Sequence, residues 1–96
     1  MLFRSPPTPK NFEARRDGAD PRNAFLAWED VPEATGYNIL WGIAPSKLYQ
    51  CLQIFADERP RFELRALTIG QEYAFAIEAF NESGVSKRSA VVRVSK

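Results

Sequence analysis

Hydrophobic and polar positions alternate with a period of two along most of this chain. Phe12 and Ala14 share one side of residues 11–16, and Ala24, Leu26 and Trp28 share one side of residues 23–28. Residues 37–41 place Tyr37, Ile39 and Trp41 together; residues 61–64 place Phe62 with Leu64, and Leu67 follows. Residues 73–79 set Tyr73, Phe75, Ile77 and Ala79 on one face and Glu78 on the other. Val92 and Val94 close the series, or Val91 in a register shifted by one. Such alternation describes strands with one buried and one wet face. The breaks between runs carry turn chemistry: Asp17-Gly18, Val31-Pro32, Thr35-Gly36, Ala44-Pro45, Arg59-Pro60, Ile69-Gly70 and Ser83-Gly84. Residues 43–55 read as a turn, with Ser46 placed to cap it, and then a strand over residues 50–55. Either Leu52 and Ile54 or Cys51 and Phe55 face inward there. About seven short strands between turn signals predict an all-β antiparallel sandwich. Its expected core is Leu26, Trp28, Tyr37, Ile39, Phe62, Leu64, Leu67, Tyr73, Phe75 and Ile77.

Length and charge narrow the picture. Ninety-six residues, 45% of them hydrophobic and 26% charged, suit one folded domain that needs no staple. The net charge of +1 supplies no field toward nucleic acid or an anionic membrane. Cationic pairs at Arg15 and Arg16, Arg59 and Arg61, and Lys87 and Arg88 lie near Glu13, Asp17, Asp57, Glu58 and Glu63, and read as solvated faces. No apolar run is long enough for membrane insertion. The single cysteine, Cys51, excludes an internal disulfide. Pro6-Pro7-Thr8-Pro9 reads as a stiff extended lead-in, which assigns residues 1–6 to a linker and residues 7–96 to the domain. The first residues are too short in apolar length for a signal peptide. The chain is then cytoplasmic, or a module of a longer protein whose export signal lies elsewhere.

Reactive chemistry is sparse. There is no histidine, so a Ser–His–Asp triad or a Cys–His nucleophile cannot be built within the chain. Cys51 has no second thiol or imidazole for zinc. The acidic pairs Glu29-Asp30 and Asp57-Glu58 abut turns, and neighbouring strand residues point to opposite faces. The five glycines stand singly, with no phosphate loop. The expectation is no catalytic residue, no metal and no cofactor. Arg16-Asp17-Gly18 reads as a hairpin turn, and Asn81-Glu82-Ser83 fits a glycosylation acceptor but also a plain turn. Aromatic rings remain: Trp41, Tyr49, Phe55 and Phe80 are candidate contacts for a ligand or partner.

In order along the chain, several motifs resemble a fibronectin type III domain over residues 7–96. Leu26-Ala27-Trp28 is similar to that family's Leu-x-Trp, and Gly36-Tyr37-Asn38-Ile39 to its Gly-Tyr-x-Val. Leu67-Thr68-Ile69-Gly70-Gln71-Glu72-Tyr73 resembles Leu-x-Pro-Gly-x-x-Tyr, with Ile69 in place of proline. Ala79-Phe80-Asn81-Glu82-Ser83-Gly84-Val85-Ser86 resembles Ala-x-Asn-x-x-Gly-x-Ser. The resemblance implies a seven-stranded immunoglobulin-like β-sandwich, with Trp28 between the sheets and Tyr73 as a tyrosine corner. Residues 37–49 further resemble accessory modules of bacterial carbohydrate-active enzymes, particularly xylan-degrading ones. That implies a non-catalytic spacer or docking module of a secreted glycoside hydrolase, monomeric, with neighbouring domains of its own chain as partners. The alternatives are a carbohydrate-binding module that uses Trp41, Tyr49 and Phe55, and a protein-adhesion module that uses the loops at residues 17–18 and 81–84.

Overall fold

Apolar side chains at every second position give each segment one face to hide, and pairing such segments edge to edge satisfies their backbone. In the computed structural model, which describes residues 4–55, 61–65 and 67–94, this produces eight β-segments and no helix. They are β1 (Glu13–Arg16), β2 (Ala24–Ala27), β3 (Gly36–Gly42), β4 (Gln50–Phe55), β5 (Arg61–Leu64), β6 (Tyr73–Asn81), β7 (Gly84–Val85) and β8 (Val92–Val94). Two antiparallel sheets result. One has the order β1-β2-β5; the other runs β4-β3-β6, with β7 and β8 both on the far edge of β6.

The expected seven strands become eight segments because the last one is interrupted. Between β7 and β8 two serines supply what a continuous strand would. Ser86 N–H donates to the Ala79 carbonyl at 2.7 Å, and Ala79 N–H donates to Ser86 Oγ at 2.9 Å. Ser89 repeats the exchange with Ile77 at 2.8 and 3.0 Å. The edge of β6 therefore stays satisfied where the ladder is broken.

The inner faces meet in one core. Ala24, Leu26, Trp28 and Leu64 come from the smaller sheet's side; Tyr37, Ile39, Trp41, Ile54, Tyr73, Phe75, Ile77, Ala79 and Val94 come from the larger. Leu67 joins them, and Phe62 packs against them while only partly buried. Of the two registers open for β4, the one with Leu52 and Ile54 inward is adopted, opposite Ile39 and Tyr37. The Trp28 and Tyr37 rings lie 5.2 Å apart at 57°. Truncating a buried indole of this kind costs about 3–5 kcal/mol, a large share of a small domain's stability.

A second cluster lies on the outer face of the larger sheet, where Leu48 folds over Leu40, Ala74 and Ala76. The loop that carries Leu48 comes down onto Gly42, and any Cβ there would overlap the Lys47 carbonyl. Over residues 4–10 the proline-rich lead-in packs on the sandwich. Pro6 and Pro9 are buried. The Arg4 carbonyl accepts from Asn81 Nδ2 at 2.8 Å, Thr8 Oγ1 donates to the Lys87 carbonyl at 2.9 Å, and the Lys10 carbonyl accepts from Glu29 N–H at 2.8 Å.

Candidate interaction surface

The outward positions of the larger sheet follow from its register. Gly36, Asn38, Leu40 and Gly42 of β3 face the same way as Cys51, Gln53 and Phe55 of β4 and as Ala74, Ala76, Glu78 and Phe80 of β6. One row crosses the sheet as Phe55, Gly36, Phe80 and Val85. Phe80 lays its ring over Gly36, where a Cβ would collide with it, so Phe80 is half-buried by its own neighbour. Phe55 and Val85 flank it at 58% and 52% exposure. The next row is polar: Gln53, Asn38 and Glu78, with Asn38 Nδ2 donating to Glu78 Oε1 at 3.0 Å and Arg88 4.0 Å from Glu78. An apolar strip thus ends against a polar one.

The four aromatic candidates part company here. Phe55 and Phe80 lie in the strip. Tyr49 stands in the loop before β4 at 82% exposure. Trp41 is 6% exposed and belongs to the core. Its position at a strand end suggests a free ring, but β3 continues to Gly42 and the alternation of Tyr37 and Ile39 carries Trp41 inward. It has too little surface to meet a partner.

Charged and polar groups are tied into the fold. Tyr37 is held at the centre: its hydroxyl accepts from Val31 N–H at 2.8 Å and donates to Asp30 Oδ1 at 2.8 Å. Burial raises its pKa, with the Val31 N–H opposing and Asp30 adding to the rise. Glu29, the other half of that acidic pair, accepts from Asn11 Nδ2 at 2.9 Å. The second pair, Asp57 and Glu58, lies outside the described residues, as do Arg59 and Pro60. Tyr73 forms the tyrosine corner, its hydroxyl accepting from Thr68 N–H at 2.9 Å. Arg16 is not a solvated cation. It donates to the carbonyls of Pro21, Gln71 and Thr68, and its guanidinium lies 5.3 Å over the Tyr73 ring. Charge alone gave no sign of that role, because the carbonyls come together only when the loops fold. Arg15 lies 4.8 Å over Phe25 on the other face.

Cys51 is exposed on β4, and burial of the sulfur together with Glu78 raises its pKa, with Arg88 opposing. Such a thiol is a poor nucleophile at neutral pH. Asn81 of the acceptor motif uses Nδ2 on the Arg4 and Glu33 carbonyls, while Oδ1 accepts from Ser83 N–H. The turn reading accounts for all of its polar atoms. A cleft of about 650 Å³ beside β1, β2 and β5 is lined by Phe12, Ala14, Phe25, Leu26, Phe62 and Val92 together with Glu13, Arg15 and Arg61. No polar or charged residue is buried among the described ones, and no three of their carboxylates and thiols gather as a metal site would need.

Two facing antiparallel sheets around a buried tryptophan and a tyrosine corner define an immunoglobulin-like β-sandwich. The solved structures sharpen this to the fibronectin type III fold. An Fn3-like protein from Clostridium thermocellum superposes with a TM-score of 0.81 at 18% identity, over 96% of this chain and 94% of that one. An fn3 domain of human contactin 1 gives 0.79 at 17% identity, over 100% and 85%. The chicken CNTN1 FN1–FN3 domains give 0.77 at 21% identity, over 95% of this chain and 31% of that one. No family model matches the sequence, and no curated protein does. The chicken structure holds three such domains, FN1 to FN3.

Proposed function

We propose that the chain is a non-catalytic spacer or docking module that meets a neighbouring domain of its own parent chain through the Phe55, Phe80 and Val85 strip. The observation behind this reading is the exposure of Phe55 and Val85 on a sheet face whose remaining apolar area is covered by Leu48. A desolvated aromatic anchor inside a rim of satisfied polar groups is how protein contacts concentrate their energy. The finer reading is an accessory module of a secreted glycoside hydrolase. The likeness of residues 37–49 to such modules favours it.

Two changes to the parent chain test the docking role: deletion of this module, and the pair Phe55→Ser with Val85→Ser. Both lower the parent's melting temperature by several degrees, while the isolated double variant melts as wild type because both side chains are already exposed. A parent that keeps its melting temperature and activity through both changes would rule docking out.

The exposure of Tyr49 and Phe55 favours polysaccharide binding as a second reading, with rings stacking on sugar faces. It requires retention on insoluble xylan or another glycan that Tyr49→Ala abolishes. No retention across a broad panel eliminates it.

A further inference from the structure

The two sheets end in strands that differ in how they meet water. A free edge presents unpaired N–H and C=O groups, and proteins blunt it with charges, proline, shortness or a covering segment. β1 carries Glu13, Arg15 and Arg16 in four residues, and β5 carries Arg61 and Glu63. β7 and β8 are two and three residues long, and the lead-in lies beside them, with Ser5 against Gly84 and Thr8 bonded to Lys87. Among the described residues, β4 has none of these devices. It runs for six residues, Gln50-Cys51-Leu52-Gln53-Ile54-Phe55, without a charge or a proline, and among the described residues it pairs with β3 alone.

We propose that β4 is a self-association edge, through which two copies pair antiparallel about a two-fold axis and join their larger sheets into one. The occupant is a second copy because this edge is its own complement. A two-fold axis across an antiparallel pair sets each backbone donor opposite the matching acceptor of the same strand. No like charges meet along the strand, and a net charge of +1 leaves little repulsion between whole copies. Gln50 and Gln53, both exposed, carry amides that donate and accept in turn. Six residues span about 20 Å, so the contact falls well short of the ~1,000 Å² of a lasting interface. The association is therefore weak and fills only at high concentration. It uses the backbone edge of β4, whereas the docking strip uses a sheet face, and Phe55 belongs to both.

Sedimentation equilibrium from about 10 μM to about 1 mM, under reducing conditions, brackets the affinity such a contact supports. The wild-type mass climbs from one chain toward two. Gln53→Lys, at an exposed position, melts as wild type and raises the dissociation constant at least about tenfold by adding an ammonium group to each of the two paired edges. Gln50→Lys does the same from the other end of the strand. A wild-type mass of one chain at the highest concentration, variants that dimerise unchanged, or a mass that passes two chains without a plateau would each overturn the arrangement. Should both variants fail to fold, amide exchange of wild-type β4 decides: protection that grows with concentration supports pairing, and constant protection refutes it.

Discussion

Tyr37 ties three levels of the molecule together within one side chain. Its ring packs tilted against Trp28, its hydroxyl accepts from Val31 N–H, and the same hydroxyl donates to Asp30. Donation to Asp30 needs the neutral phenol, and burial raises its pKa against the opposing Val31 N–H. The folded state therefore holds the proton more tightly than the unfolded chain. The stability this contributes is complete below the unfolded value near ~10 and is lost as pH rises through the higher folded value. Tyr37→Phe should cost about 1–3 kcal/mol near neutral pH, because Val31 N–H loses its acceptor. Above about pH 10 the variant's melting temperature should fall less steeply than that of wild type. Parallel pH profiles for the two proteins would show that another group titrates. Periodicity makes Tyr37 legible as a core residue, since it shares parity with Ile39. The hydroxyl's two partners sit in a loop whose course alternation does not describe.

At the scale of elements, β3 is the hinge of the design: it pairs on both sides, and both of its faces are covered. Gly42 lets the 43–49 loop close over the outer face, seating Leu48 on Leu40, Ala74 and Ala76. Gly42→Ala forces that loop away and should cost about 1–3 kcal/mol by denaturant unfolding, with faster amide exchange at Leu48 than in wild type. A stability equal to wild type would mean that the loop yields freely. Long alternating runs such as β6 are plain in the sequence because Phe75, Ile77 and Glu78 each fall on the side their chemistry favours. The β4 register is not, since Leu52 with Ile54 and Cys51 with Phe55 are near-equal apolar choices until Tyr37 and Ile39 select one. The break between β7 and β8 is hidden for a different reason. Ser86 and Ser89 act through side-chain bonds to β6, which no period reports.

Over the whole molecule, the lead-in binds the two layers together: Lys10 bonds Glu29 beyond β2, while Thr8 and Arg4 bond the β6–β8 side. Prolines announce an extended path, but whether that path leaves the domain or lies along it depends on Asn81 and Lys87, more than seventy residues away. Truncation just before Lys10 should lower the melting temperature by at least about 4 °C, the shift that ~1 kcal/mol produces in a domain of this size. An unchanged melt would make the lead-in a passenger. The apolar strip, by contrast, is half legible. Phe80 falls on the outward parity of Glu78, yet its partner Gly36 and its companions Phe55 and Val85 are assembled only by sheet register. Both indoles lie inside, each 6% exposed. The protein's ultraviolet emission will accordingly redden when the two layers come apart, yet stay mute while something settles on the outer face, so a ligand screen has to be built on another optical signal.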